Sequence, residues 1–222
     1  MPSARLVAAG ALAAVLAVPA TALAAPTIAP LESCYVSAAA TQRESIALEV
    51  GGFTPNSLVD VTIDGRAVPG ATGVQTDPTG AFQGTVPAPY RPSGERRFTL
   101  TVTQVGDPGN TVSAGSRVTA LTVAVTPKQA QPTRLVRFAG RGFTKPGPVY
   151  AHYVYRGRLR ETVRMGTPTG VCGRFSARRR QIPVRPRTGT WLVQFDQLPE
   201  WTNPPEDIFV QLQIRVFRTF QD

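Results

Sequence analysis

One motif occurs twice in this chain, and its spacing fixes the size of the unit that must fold. Gly51-Gly52-Phe53-Thr54-Pro55, followed by Val59 to Arg66, returns as Arg141-Gly142-Phe143-Thr144-Lys145-Pro146, followed by Ala151 to Arg158. Gly52 matches Gly142, Gly65 matches Gly157, Gly80 matches Gly173 and Phe98 matches Trp191, at offsets of 90, 92, 93 and 93. A solenoid repeat is much shorter than this, so the period implies two whole duplicated domains.

Within each copy the apolar residues alternate. Ile46, Leu48 and Val50 interleave with Ala47 and Glu49; Val59, Val61 and Ile63 with Asp60 and Thr62; Phe98, Leu100 and Val102 with Thr99 and Thr101. That is the period of a strand with one buried face. Val118 to Val125 and Ile208 to Phe217 read as the strands that close the two copies. Asp64-Gly65 is a tight hairpin signal, because a primed turn requires positive φ there. The 20 Gly and 21 Pro punctuate runs rich in Val, Thr and aromatics, and no helical apolar period follows residue 24.

The ends are read separately. Arg5, an apolar run from Leu6 to Val18, and Ala22-Leu23-Ala24 have the layout of a secretory signal peptide. The expected organisation is a cleaved signal peptide at 1–24, a first domain at 25–126 and a second at 127–222. No other stretch is long and apolar enough to span a bilayer. Export permits disulfides. Cys34 and Cys172 fall in different copies, so either they bridge the two domains, the favoured expectation, or each stays a separate thiol.

Val50-Gly51-Gly52-Phe53-Thr54-Pro55-Asn56 and Ala139-Gly140-Arg141-Gly142-Phe143-Thr144-Lys145-Pro146-Gly147, each leading into an alternating strand, resemble the opening of bacterial immunoglobulin-like modules of the IPT/TIG type. The first copy departs from the pattern, with Asn56 where the turn glycine usually stands; Asn still tolerates the left-handed region. The resemblance implies two tandem immunoglobulin-like β-sandwich domains. It implies a spacer, adhesion or recognition role for an exported protein rather than catalysis.

Charge separates the copies. Residues 25–126 carry 6 Arg against 8 Asp plus Glu, whereas 127–222 carry 17 Lys plus Arg against 6 Asp plus Glu. Two clusters stand out: Arg156, Arg158, Arg160 and Arg164, and then Arg174, Arg178, Arg179 and Arg180. If their strands pair, the guanidinium groups form one stripe suited to carboxylate or phosphate oxyanions. The partners this implies are anionic cell-wall polymers, acidic glycans or lipid headgroups at a secreted, extracytoplasmic envelope location. Sequence-specific nucleic-acid binding is not implied, since no recognition motif accompanies the charge. The bland alternative is compositional: Arg fills ordinary solvated positions throughout an Arg-rich, Lys-poor chain.

Catalytic patterns are absent. His152 is the only histidine; it aligns with Asp60, on the solvent side of its strand. No zinc spacing, nucleophile elbow or phosphate loop occurs, and no cofactor is implied. A second functional reading is a carrier of a small apolar ligand, held in a crevice lined by Tyr153, Tyr155 and Phe175. A hydrolase with a distant carboxylate pair is a third reading without a supporting motif.

Overall fold

A computed structural model describes residues 25–203 and 208–217. The expected signal peptide lies outside them. The first unit runs β1 (Thr27–Ile28), β2 (Tyr35–Ser37), β3 (Ser45–Gly51), β4 (Leu58–Ile63), β5 (Arg66–Ala67), β6 (Val74–Gln75), β7 (Phe82–Pro87), β8 (Glu95–Gln104) and β9 (Asp107–Ala120). The second runs β10 (Thr122–Thr126), β11 (Leu135–Arg141), β12 (Val149–Tyr155), β13 (Arg158–Gly166), β14 (Phe175–Arg180), β15 (Gly189–Asp196) and β16 (Val210–Val216). No helix long and apolar enough to cross a membrane occurs among the described residues.

Each unit is two sheets face to face. In the first, β1-β3-β7 packs on β2-β9-β8-β4-β5, with β6 also pairing β4; in the second, β10-β11-β14 packs on β13-β12-β15-β16. Matching the sheets matches the strands: β3 to β11, β4 to β12, β7 to β14, β8 to β15, β9 to β16. The first unit adds a short β2 running parallel to β9. A split first strand, with one half antiparallel on one sheet and the other parallel on the opposite sheet, is an immunoglobulin-like arrangement; the architecture is two tandem immunoglobulin-like β-sandwiches.

The division between the units differs from the expectation. Residues 122–126 do not close the first copy; they pair antiparallel with β11, Thr122 against Arg141 through Thr126 against Arg137. The first unit ends with β9 at Ala120, and Leu121 alone separates β9 from β10. Val123 and Val125 alternate as well for one sandwich as for the other, so periodicity cannot assign them.

The repeated motif is a backbone clasp. Phe53 and Phe143 are buried in the two cores. The Phe53 N–H donates to the Gly80 carbonyl at 3.1 Å, and the Phe143 N–H to the Gly173 carbonyl at 3.2 Å. Both partner glycines have positive φ, 79° and 55°. A Cβ on either would overlap the carbonyl oxygen of its phenylalanine. Gly52 and Gly142 make the complementary close approach, to the backbone of Ala25-Pro26 and of Ala120-Leu121, where each first strand crosses. The hairpin reading also holds: Asp64 and Gly65 take φ 50° and 75°, and Arg156 and Gly157 repeat it at 53° and 70°.

The two cores meet at β2. Tyr35 enters the first core with Val59, Leu100 and Val118, its ring 6.1 Å from Phe98. Val36 faces the second core with Leu121 and Phe143. Immediately before β2, Cys34 is disulfide-bonded to Cys172, with Cα atoms 5.4 Å apart and a sequence separation of 138. Cys172 belongs to the second clasp, since its carbonyl accepts from the Gly142 N–H at 3.0 Å.

Two outcomes test this. Gly80→Ala and Gly173→Ala each force a side chain into a left-handed, backbone-blocked position and lower stability by about 3 kcal/mol in denaturant titrations. Gly51→Ala, whose Cβ meets only the Thr27 hydroxyl at 3.8 Å, costs less than about 1 kcal/mol. Replacing Cys34 and Cys172 together by Ser removes a constraint worth up to about 5 kcal/mol in the chain-entropy view, read as a lowered melting temperature.

Candidate functional site

The eight arginines expected to form one stripe are split by the fold. β13 and β14 do not pair; they are the edges of opposite sheets. Arg156 sits in the β12–β13 turn with its guanidinium 5.4 Å from the centre of the Tyr155 ring. Arg158 and Arg160 are exposed on the edge strand β13. Arg164 lies further along β13, and its carbonyl accepts from Arg179 at 3.3 Å. That contact turns Arg179 away from its neighbours and across the open side of the sandwich. Arg174 ion-pairs with Glu95 of the first domain at 2.8 Å. The two arginine clusters therefore lie on adjoining edges of opposite sheets and not on paired strands of one sheet.

A different group does assemble. On β14, Phe175 and Ala177 point inward, leaving Arg178 and Arg180 on the outer face. The register places Arg178 opposite Arg137 and Arg180 opposite Leu135 on β11. Arg137 is exposed and donates through Nε to Ser176 at 2.9 Å. Arg141 follows on the same face, opposite Thr122. The floor between these side chains is small, with Ala124, Ala139 and Gly140, so the sheet surface is hollowed into a depression of about 550 Å³ rimmed by Arg137, Arg141 and Arg174. The outward residues of β10, β11 and β14 include no carboxylate. Among the described residues neither Arg137, Arg141, Arg178 nor Arg180 has an acidic partner. Arg137 and Arg141 were not among the expected site residues. Their signal was present in the alternation Leu135-Val136-Arg137-Phe138-Ala139-Gly140-Arg141, which sets Val136 and Phe138 inward and both arginines outward.

His152 corrects the sequence reading. It does lie on the face of β12 opposite the core, but it is fully buried. The segment after β15 folds back over it, and the Leu198 carbonyl lies 3.2 Å from Nε2. Asp196 Oδ1 is 3.1 Å from the same nitrogen. Both neighbours only accept, so Nε2 carries the proton. Nδ1 meets the Thr162 hydroxyl at 3.0 Å. Asp196 also accepts from Gln194 Nε2 at 2.8 Å and from the Leu198 N–H at 3.0 Å. Burial pushes the Asp196 carboxyl up, but the hydrogen bonds from His152, Gln194 and Leu198 outweigh it and hold the group below its ordinary value. This hydroxyl–imidazole–carboxylate row is sealed and saturated; it anchors the loop after β15 to the sheet.

The carrier reading finds no cavity at the residues expected to line one. Tyr153, Trp191, Phe138 and Phe195 are among the largest fully buried side chains, and the Tyr155 ring lies 5.0 Å from Trp191. No described pocket is lined by Tyr153 or Tyr155, and Phe175 touches only the outer depression.

Glu95 ties the basic face to the first domain. It accepts from Arg117 at 2.6 Å and from Arg174 at 2.8 Å. Hydrogen bonds from Arg117 and then Arg174 hold its carboxyl below the usual glutamate range, against an opposing effect of burial.

No protein-family model matches this sequence, and no curated protein matches it. Solved structures similar to it include titin tandem Ig domains, at 10% identity over 86% of this chain and 95% of that one with a TM-score of 0.29. The E. coli chaperone DraB matches at 13% identity over 86% of this chain and 98% of that one, TM-score 0.27. A glucan-utilisation protein of Bacteroides ovatus, SGBP-B, in complex with a mixed-linkage heptasaccharide, matches at 15% identity over 87% of this chain and 48% of that one, TM-score 0.26.

Two predictions follow from the geometry. Glu95 has a folded-state pKa below its unfolded value of about 4.3, so its contribution to stability is full above that pH and is lost as pH falls through the folded value. Acid titration of the denaturation midpoint should therefore fall more steeply for the wild-type chain than for Glu95→Gln. His152→Ala deprives buried Asp196 of a partner and opens a void, costing about 3 kcal/mol at neutral pH in denaturant unfolding.

Proposed function

We propose that this chain is an exported, non-catalytic binding protein of the cell envelope whose second domain docks anionic polymers on the outer face of β10-β11-β14. The observation that carries this reading is the outer face of β10-β11-β14, which carries Arg137, Arg141, Arg178 and Arg180 and no carboxylate on its strands, beside one shallow depression. Guanidinium forks suit carboxylate or phosphate groups repeated along a wall polymer, an acidic glycan or a layer of lipid headgroups. Near-neutral charge on the first domain leaves the attraction to the second. Extracytoplasmic location is supported by the signal-like N-terminus and the interdomain disulfide. The IPT/TIG affiliation rests on the glycine–phenylalanine motif alone. Non-catalytic action is supported by the saturation of the His152 row, which leaves that imidazole without a free nitrogen.

Binding of the mature protein to isolated envelope fractions, measured by co-sedimentation, should fall at least about tenfold between low and high salt, because exposed charge contacts are screened. Arg137→Glu with Arg178→Glu and Arg180→Glu should abolish it, while Arg156→Glu with Arg158→Glu should have a smaller effect. Binding that ignores salt, or survives the triple reversal, rejects this surface.

A further inference from the structure

The two sandwiches differ in one place where their frameworks should agree. In the first domain the segment joining β1 to β3 spans residues 29–44 and contains β2, which covers the outer edge of β9. Tyr35, Val36 and Ser37 are all buried there. In the second domain the equivalent connection, between β10 and β11, spans residues 127–134 and contains no strand. It is half as long, with Pro127 and Pro132 in it. Its β16, the counterpart of β9, therefore ends its sheet with no strand partner on the outer side among the described residues.

The place that β2 fills in one copy is open in the other. A depression of about 580 Å³ lies between β10 and β16, on the side where the two sheets part. Val123, Val125, Leu212 and Ile214 line it with apolar surface, and Lys128 and Arg215 stand at its rim. Neither cation has a carboxylate partner among the described residues. No acidic side chain lines the depression. Phe217, at its end, is 72% exposed, the most exposed large apolar residue described.

We propose that β16 is an acceptor edge that takes an extended segment of an acidic partner protein as an added strand, in the position that β2 occupies in the first domain. An unpaired edge offers every second residue's N–H and C=O to such a segment. Alternate apolar side chains of the incoming strand enter the gap against Val123, Val125 and Leu212, as Tyr35 enters the first core. Carboxylates on its other face meet Lys128 and Arg215. The charge selects the occupant: a second copy would bring the same cations and another strongly basic domain, which disfavours self-pairing. This surface lies on the opposite edge of the β10-β11-β14 sheet from β14 and shares only Ala124 with the depression on the polymer-binding face.

The test uses the full mature chain and a blocked nine-residue peptide alternating Val with Glu, with one central Tyr. Amide hydrogen exchange should show β16, residues 210–216, gaining protection on peptide addition. A peptide with Lys in place of Glu should bind at least tenfold more weakly. Lys128→Glu with Arg215→Glu, both at exposed positions, should keep the melting temperature and reverse that preference. The proposal is overturned if neither peptide protects β16 or if both bind equally. It is also overturned if the free chain already protects these amides fully, meaning that its own segment covers the edge. Protection that rises with protein concentration without peptide would assign the edge to a second copy and reject the acidic partner.

Discussion

Two close approaches of backbone to backbone hold each sandwich at one end, and every larger feature is positioned from them. Phe53 and Phe143 bury their rings only because their N–H groups are taken by Gly80 and Gly173, whose positive φ and missing side chains let the chains touch. A phenylalanine in that turn without the partner glycine would leave a buried amide unpaired, at a cost comparable to the gain from the ring. The duplicated glycine therefore constrains the strand that follows it: β7 and β14 leave the clasp in matching directions. The outer face of β14, with its arginines, is aimed by Gly173 just upstream.

The second clasp is also where the two domains are joined. Cys172 precedes Gly173, and its bond to Cys34 places β2 against the second core through Val36 while Tyr35 serves the first. The Leu121 N–H donates to the Ser37 carbonyl at 3.1 Å, so the one-residue junction between β9 and β10 is itself hydrogen-bonded to β2. Glu95 adds a charged contact across the same region. Backbone junction, disulfide, apolar contact and ion pair all converge on β2 and the residues around it.

Much of this was legible in the chain. The offset of the Gly-Phe motif marked the repeat, Asp64-Gly65 marked its hairpin, and the strict alternation from Ile46 to Val50 marked inward faces. What failed was whatever depends on which strand lies beside which. Residues 122–126 alternate correctly for either sandwich, and only pairing with β11 assigns them. His152 has the parity of a solvent-facing residue, yet a loop that begins some 44 residues later covers it; strand parity reports a face, not what lies over that face. The arginines were read as one cluster because they are close in sequence, but β13 and β14 belong to different sheets. The face that did assemble draws Arg137 and Arg141 from a strand nearly 40 residues upstream.

The disulfide also alters what a pull on this molecule would load. The shortest covalent route through the described residues runs from Ala25 to Cys34, crosses to Cys172 and leaves through β14, β15 and β16. Residues 35–171 hang on that route as a closed loop. Tension between the ends can peel away β1 and unravel the last strands, but it cannot draw out β3 to β13 while the sulfur bond stands. An oxidised molecule anchored at one end and held at the other is thus a tether of limited extension, and cutting one bond more than triples the length of chain that can be paid out.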